Sequence, residues 1–159
     1  MSNKIILSKE IQMKTTWIVA ADKSRARIFE VQGVQQNFRE IEDFINPAGD
    51  MEQKDLLSDE RGHFNGNGRA QQGSDAQPKV DAVQHETELF SRQLSDYLDK
   101  ARMEHRYDKL CLIAFPKFLG LMRQNLSKEA QKLVQDEMSK DISWFNARDV
   151  EDYIKTRLH

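Results

Sequence analysis

Lys109-Leu110-Cys111-Leu112-Ile113-Ala114-Phe115-Pro116 sets six apolar residues between one lysine and one proline. No polar residue alternates with them, so the run reads as a strand buried on both faces. Pro116 cannot extend a ladder but suits the first turn of a helix. Upstream, Phe90, Leu94, Tyr97, Leu98 and Ala101 recur at helical spacing, with Glu88–Arg92 and Asp96–Lys100 as i,i+4 pairs on the other face. The pattern predicts a helix over about residues 82–105. Asp81 would be its N-cap, with Gln84 reciprocating, and Lys100, Arg102, His105 and Arg106 would complement its C-terminal dipole. A doubly buried strand fed directly by a helix is expected to lie parallel to a neighbour.

Further strands are expected near the start of the chain. Thr15 to Ala21 is β-branched and aromatic without a charge. Asp22-Lys23-Ser24 breaks it, and Arg25 to Val31 alternates as a second strand, hairpin-paired with the first. Gly33 marks a turn, and Phe38 to Ile45 is a third strand closed by Asn46-Pro47. After Pro116, residues Phe118, Leu119, Met122 and Leu126 mark an inward helix face, with Gly120 expected to permit close packing on the sheet. Ser127 suits a cap for a short helix, and residues 132–139 read as a last strand. Asn146 suits the cap of a final helix, with Phe145 and Val150 as a staple and Val150, Tyr153, Ile154 and Leu158 inward. Trp17 and Trp144 are expected as core anchors. The fold class is therefore α/β, with an α+β-like mixed sheet: an antiparallel meander, a long helix, a central buried strand and further helices.

Between meander and helix lies Ser58 to Asp81, sparse in apolar residues and holding Gly62, Gly66, Gly68 and Gly73. Such a stretch is costly to order and reads as a long exposed loop, the candidate working arm. Residues 1–12 read as an appendage, and 13–159 as a single domain. With 159 residues, net charge −2 and mean hydropathy −0.74, the chain has the composition of a globular protein rather than a membrane-inserted one. It has no apolar run near the ~20 residues of a membrane span. Met1 to Gln12 does not resemble an export signal, so the cytoplasm is the expected compartment. The near-neutral charge argues against nucleic-acid binding by bulk charge alone but leaves room for a local basic face. One cysteine, Cys111, excludes an internal disulfide and reads as a buried thiol.

His63, His85, His105 and His159 show no metal spacing, and no Walker, Rossmann or nucleophile-elbow pattern occurs. Neither a metal nor a cofactor is expected. Asp22 suits turn chemistry; the functional alternative is a polar site at a sheet edge, beside Lys23, Arg25 and Arg27. Lys117 stands where a strand ends and a helix begins, a place where open α/β sheets bind ligands, and Arg123 follows two turns on. An anion site is expected there. In the loop, Arg61, Arg69, Gln71 and Gln72 can hydrogen-bond without a core; the alternative is a solvated tether. His85 reads as a helix-end polar residue or a general base. The expected binding set is Asp22, Arg25, Arg27, Arg61, Arg69, Lys117 and Arg123, and the catalytic candidates are Gln71, Gln72 and His85.

Three stretches together resemble the bacterial host-attachment protein family: Trp17-Ile18-Val19-Ala20-Ala21-Asp22-Lys23-Ser24-Arg25-Ala26-Arg27-Ile28-Phe29, Leu57-Ser58-Asp59-Glu60-Arg61-Gly62, and Phe115-Pro116-Lys117-Phe118-Leu119-Gly120-Leu121-Met122-Arg123. The likeness spans residues 13–159 and implies a role in attachment to host cells. That family is in turn similar to the middle domain of archaeal and eukaryotic class I release factors, whose exposed loop carries Gly-Gly-Gln. Here the corresponding stretch reads Gly68-Arg69-Ala70-Gln71-Gln72-Gly73, without that order. The resemblance implies a non-catalytic factor that binds the ribosome or structured RNA through residues 58–81. The alternatives are a hydrolase of a peptidyl-tRNA ester or phosphodiester, and a protein-interaction factor that supports attachment indirectly. The sequence leaves oligomeric state open.

Overall fold

A computed structural model describes residues 14–33, 36–47 and 72–157, with side chains from residue 81 onward in the last stretch. Three strands form the expected antiparallel meander: β1 (Thr15–Ala21), β2 (Arg25–Gln32) and β3 (Asn37–Ile45). The apolar run after the first described helix, α1 (Gln72–Met103), becomes β4 (Lys109–Ala114) and lies parallel to β1. Then come α2 (Pro116–Asn125), α3 (Lys128–Leu133), β5 (Val134–Ser139) parallel to β4, and α4 (Ala147–Arg157). The sheet order is β3-β2-β1-β4-β5. This is the mixed, helix-covered α/β sheet that the sequence implies.

Period-two alternation sorts β1 and β4 between two layers. Trp17, Val19, Leu110, Leu112 and Ala114 face α1, α2 and α3, where Phe90, Leu94, Leu98, Phe118 and Met122 complete one core. Ile18, Ala20, Cys111 and Ile113 face the other way, onto Ile142 and onto Val150 and Ile154 of α4. Both faces of the two central strands are thus dry, which is why neither carries an internal charge.

In β3 a bulge alters the alternation. The register steps from Ile28↔Glu42 to Phe29↔Glu40, so Ile41 is the extra residue. Phe38 therefore stacks on Phe29 in the α4 layer, whereas Phe44 packs edge-on against Tyr97 in the other. Without the bulge, residues 38 and 44 would share a face.

Local chemistry sets most element ends. Ser127 caps α3 by accepting from the Ala130 N–H at 3.1 Å, and Asn146 caps α4 by accepting from the Asp149 N–H at 2.8 Å. α1 ends in a Schellman pattern: the Arg106 and His105 N–H groups donate to the Ala101 and Arg102 carbonyls. His105 holds the left-handed position, at φ 58°, that glycine usually takes.

Three expectations need correction. α1 begins at Gln72, not near 82, so Asp81 is an interior position and no cap, and residues 72–81 are helix rather than loop. Pro78 removes only one donor near the start of a 32-residue helix whose later turns are well packed. The earlier part of the expected loop lies outside the described residues. Trp144 is 70% exposed, not a core anchor, because it sits in the β5–α4 connection while Ile142 on the same segment takes the inward place. Gly120 does not serve close packing among the described residues: a methyl group built on it meets none of their atoms within 4 Å.

Two stability outcomes follow from this packing. Gly120→Ala should raise stability by about 0.5–1 kcal/mol, the helix-interior cost of glycine, in urea unfolding. Arg27 is 3% exposed and forks onto Glu40. Arg27→Ala, which leaves that carboxylate without its partner, should cost about 3 kcal/mol or more in the same measurement.

Candidate functional site

The strand order creates a switch point. The chain leaves β1 toward β2 on one side, and leaves β4 toward α2 and β5 on the other. In open sheets of parallel strands, a crevice opens outside the strand ends where neighbouring connections diverge in this way. A cleft of about 560 Å³ lies there. The β1–β2 turn supplies Asp22, Lys23 and Ser24, and the start of α2 supplies Phe115, Lys117, Phe118 and Leu121. Val83, Gln84, Thr87 and Glu88 of α1 line it too, and Asp141 completes the lining. The volume falls within the range of small-ligand clefts, with an apolar interior and a few polar groups.

Asp22, Lys23 and Lys117, the residues suspected of a sheet-edge site, are therefore brought together. Their roles differ. The Asp22 Oδ1 atom accepts from the Ser24 and Arg25 backbone N–H groups, both at 2.7 Å, which closes the hairpin as an Asx turn. Ser143 Oγ lies 2.7 Å from Asp22 Oδ2 and 2.7 Å from Asp141 Oδ1, so one hydroxyl proton serves two carboxylates in turn. Asp22 is thus a fastener between the hairpin and the β5–α4 connection. Lys117 is exposed and has no ion pair among the described residues. The first turn of α2 carries no acidic residue, and its cap residue Phe115 makes no side-chain cap bond, so this helix end stays electropositive. Phe115 is 51% exposed at the same place.

The other arginines of the expected set are spoken for. Arg25 forks onto Asp43 at 2.8 and 2.6 Å. Arg27 forks onto Glu40 at 2.9 and 2.8 Å, donates to the Ser143 carbonyl at 3.1 Å and to the Phe145 carbonyl, and lies over the Phe29 ring. Arg123 pairs with Glu137 at 2.9 Å on the outer face of α2. Arg25 and Arg27 are paired within the fold and do not line the cleft. His85 is an exposed residue inside α1, beyond its first turn. Gln72 opens α1, while Arg61, Arg69 and Gln71 lie outside the described residues. Burial pushes the Cys111 thiol up to about 12, which keeps it protonated and inert. No group of three or more His, Cys, Asp or Glu among the described residues could hold a metal, and no described helix is long and apolar enough to cross a membrane.

Sequence reading missed the α1 wall of the cleft. Val83 and Thr87 stand four apart, a spacing that signals a shared face once the helix is known to run through them. It also missed Phe115, an aromatic that precedes a proline and so must leave the strand just where the sheet ends.

A family model described as "Protein required for attachment to host cells" matches residues 17–154. No curated protein matches the chain. Among solved structures, the chain is similar to one described as "Archaeal protein", at 8% identity and a TM-score of 0.44. That likeness covers 98% of this chain and 42% of the other, so this chain spans less than half the length of that protein.

The Arg25 hydrogen bonds hold the Asp43 carboxyl below its ordinary range. A carboxylate depressed on folding stabilises above its unfolded pKa of about 3.9, and that contribution is lost as pH falls through the folded value. Both partners are about one-third exposed, so the effect is modest. Asp43→Asn should lower stability at about pH 7, and the gap from the parent should narrow by about pH 3 in urea titrations. A gap that holds constant with pH would contradict this.

Proposed function

Because the chain belongs to the family of proteins required for attachment to host cells, matched over residues 17–154, we propose that it serves attachment as a non-catalytic binding factor. It works in the cytoplasm and associates with the ribosome or structured RNA. The observation that carries this reading is the cleft at the switch point, where lysines and a half-exposed aromatic meet. Cations for phosphate and an aromatic face for a base are the paired requirements of RNA recognition outside a regular duplex. In this reading Asp22, Arg25 and Arg27 shape the rim. Lys117 meets the partner from α2, Arg123 joins it by giving up its pair with Glu137, and Arg61 and Arg69 meet it from the 58–81 stretch.

Binding is favoured over hydrolysis by the fate of the reactive groups. Asp22 spends its lone pairs on two backbone N–H groups and lies within reach of a hydroxyl, so it is a poor general base. Cys111 is buried and protonated. Gln72 and His85 lie on one helix, about 20 Å apart along its axis, too far to act on a single bond.

The test is co-sedimentation of the full chain with ribosomal particles across a salt series. Association at low salt should weaken as salt rises. Arg61→Ala/Arg69→Ala should abolish it, and Lys117→Ala should reduce the slope of log affinity against log salt by about 1. No association at low salt would refute the proposal.

A further inference from the structure

Three carboxylates and two lysines line the switch-point cleft. Most of these charges are engaged within the fold: Asp22 and Asp141 lie against Ser143, and Lys23 has a partner within the protein. Glu88 and Lys117 remain, one of each sign. Glu88 is half-buried on α1, and the pair expected with Arg92 one turn on is not made. Lys117 stands on α2. Neither has an ion pair among the described residues, with the other or with anything else. Opposite charges that share a concave site gain by closing on one another, the more so where water is scarce. Here the fold keeps them on different walls, and between them the lining is apolar, with Val83, Phe118 and Leu121.

We infer that a ligand carrying both charges completes this unmade pair: a short apolar peptide with free ends, whose ammonium meets Glu88 and whose carboxylate meets Lys117. A ligand of one sign answers only one of the two groups and leaves the other unmatched or opposed. Size sets the length. A compact space of about 560 Å³ is about 8 Å across, and two extended residues span about 7 Å between their ends. A single amino acid, whose two charged groups flank one carbon, does not bridge the walls. The start of α2 favours the same polarity. Its first turn holds no acidic residue and no side chain caps it, so its N–H groups suit a carboxylate and not an ammonium. The Gln84 amide, also in the lining, can donate to and accept from the peptide group between the ends. Apolar side chains on the peptide cover Val83, Phe118 and Leu121. The inference goes beyond the ribosome reading and does not rest on it; both draw on Lys117, so peptide and ribosomal partner would compete there.

The experiment is calorimetric titration of the full chain, without ribosomes, with L-leucyl-L-leucine. Its N-acetyl form lacks the ammonium, and its C-terminal amide lacks the carboxylate. The free dipeptide should bind, and each blocked form should bind about tenfold more weakly, the value of one charged contact. Glu88→Gln should cost the free dipeptide about tenfold and leave the N-acetyl form unchanged. Lys117→Gln should likewise weaken the free dipeptide and leave the amide unchanged. Each variant then loses discrimination at one end only, which a damaged fold would not produce. No binding at millimolar dipeptide, blocked forms that bind as well as the free one, or variants that keep full discrimination would each overturn the inference. L-leucine binding as tightly as the dipeptide overturns it too, because the site would then hold a single residue.

Discussion

One buried guanidinium ties the architecture together. Arg27 sits on β2 among apolar neighbours, and its charge is answered by the Glu40 carboxylate, two backbone carbonyls and the Phe29 ring. A charge removed from water in this way persists only if its donors are nearly all satisfied. Satisfying them fixes two things. The β3 bulge leaves Glu40 on the α4 side of the sheet while later residues turn to the other side. The β5–α4 connection is drawn over the end of the sheet, because its Ser143 and Phe145 carbonyls are the remaining acceptors. Ser143 can then reach both Asp22 and Asp141. The cleft's shape is thus downstream of a residue that does not line it.

Elements whose identity depends on local pattern were legible. β1 and β4 announce themselves because strands dry on both faces tolerate no charge. Pro116, Ser127 and Asn146 mark helix starts through groups acting within one turn. What was illegible depends on partners far along the chain. Nothing near Ile41 signals a bulge, since its cause is the demand of Arg27 and Tyr97 for acceptors on opposite faces. Trp144 looks like core because tryptophan usually is, and only the placing of Ile142 excludes it. The start of α1 at Gln72 was illegible because the packing that holds the helix comes from β1, β4 and α2 and not from its own first turns.

The site shows the same division. Lys117 could be suspected from sequence, because a strand followed by Pro at a helix start leaves its next residue at a sheet edge. The arginines misled, because Arg25, Arg27 and Arg123 look alike in composition while Asp43, Glu40 and Glu137 neutralise each of them. Counting cations along the chain overstates the basic surface; subtracting the forked pairs leaves a smaller, more localised one. A near-neutral protein can then present a defined anion-facing edge without a basic surface overall.

The asymmetry of the cleft carries the last step. Two of its three acids serve the fold: Asp22 closes a hairpin, and both Asp22 and Asp141 lie against Ser143, so they are committed before any ligand arrives, while Glu88 lines the cleft from α1. Its α2 side has no such structural duty. Lys117 is exposed, Phe115 is left half in solvent, and Gly120 forgoes helix stability although there is room for a side chain. Selection for folding alone would have filled that room and covered that ring, since both changes stabilise locally. A surface that stays suboptimal for folding at three neighbouring positions is best understood as one shaped by what it contacts.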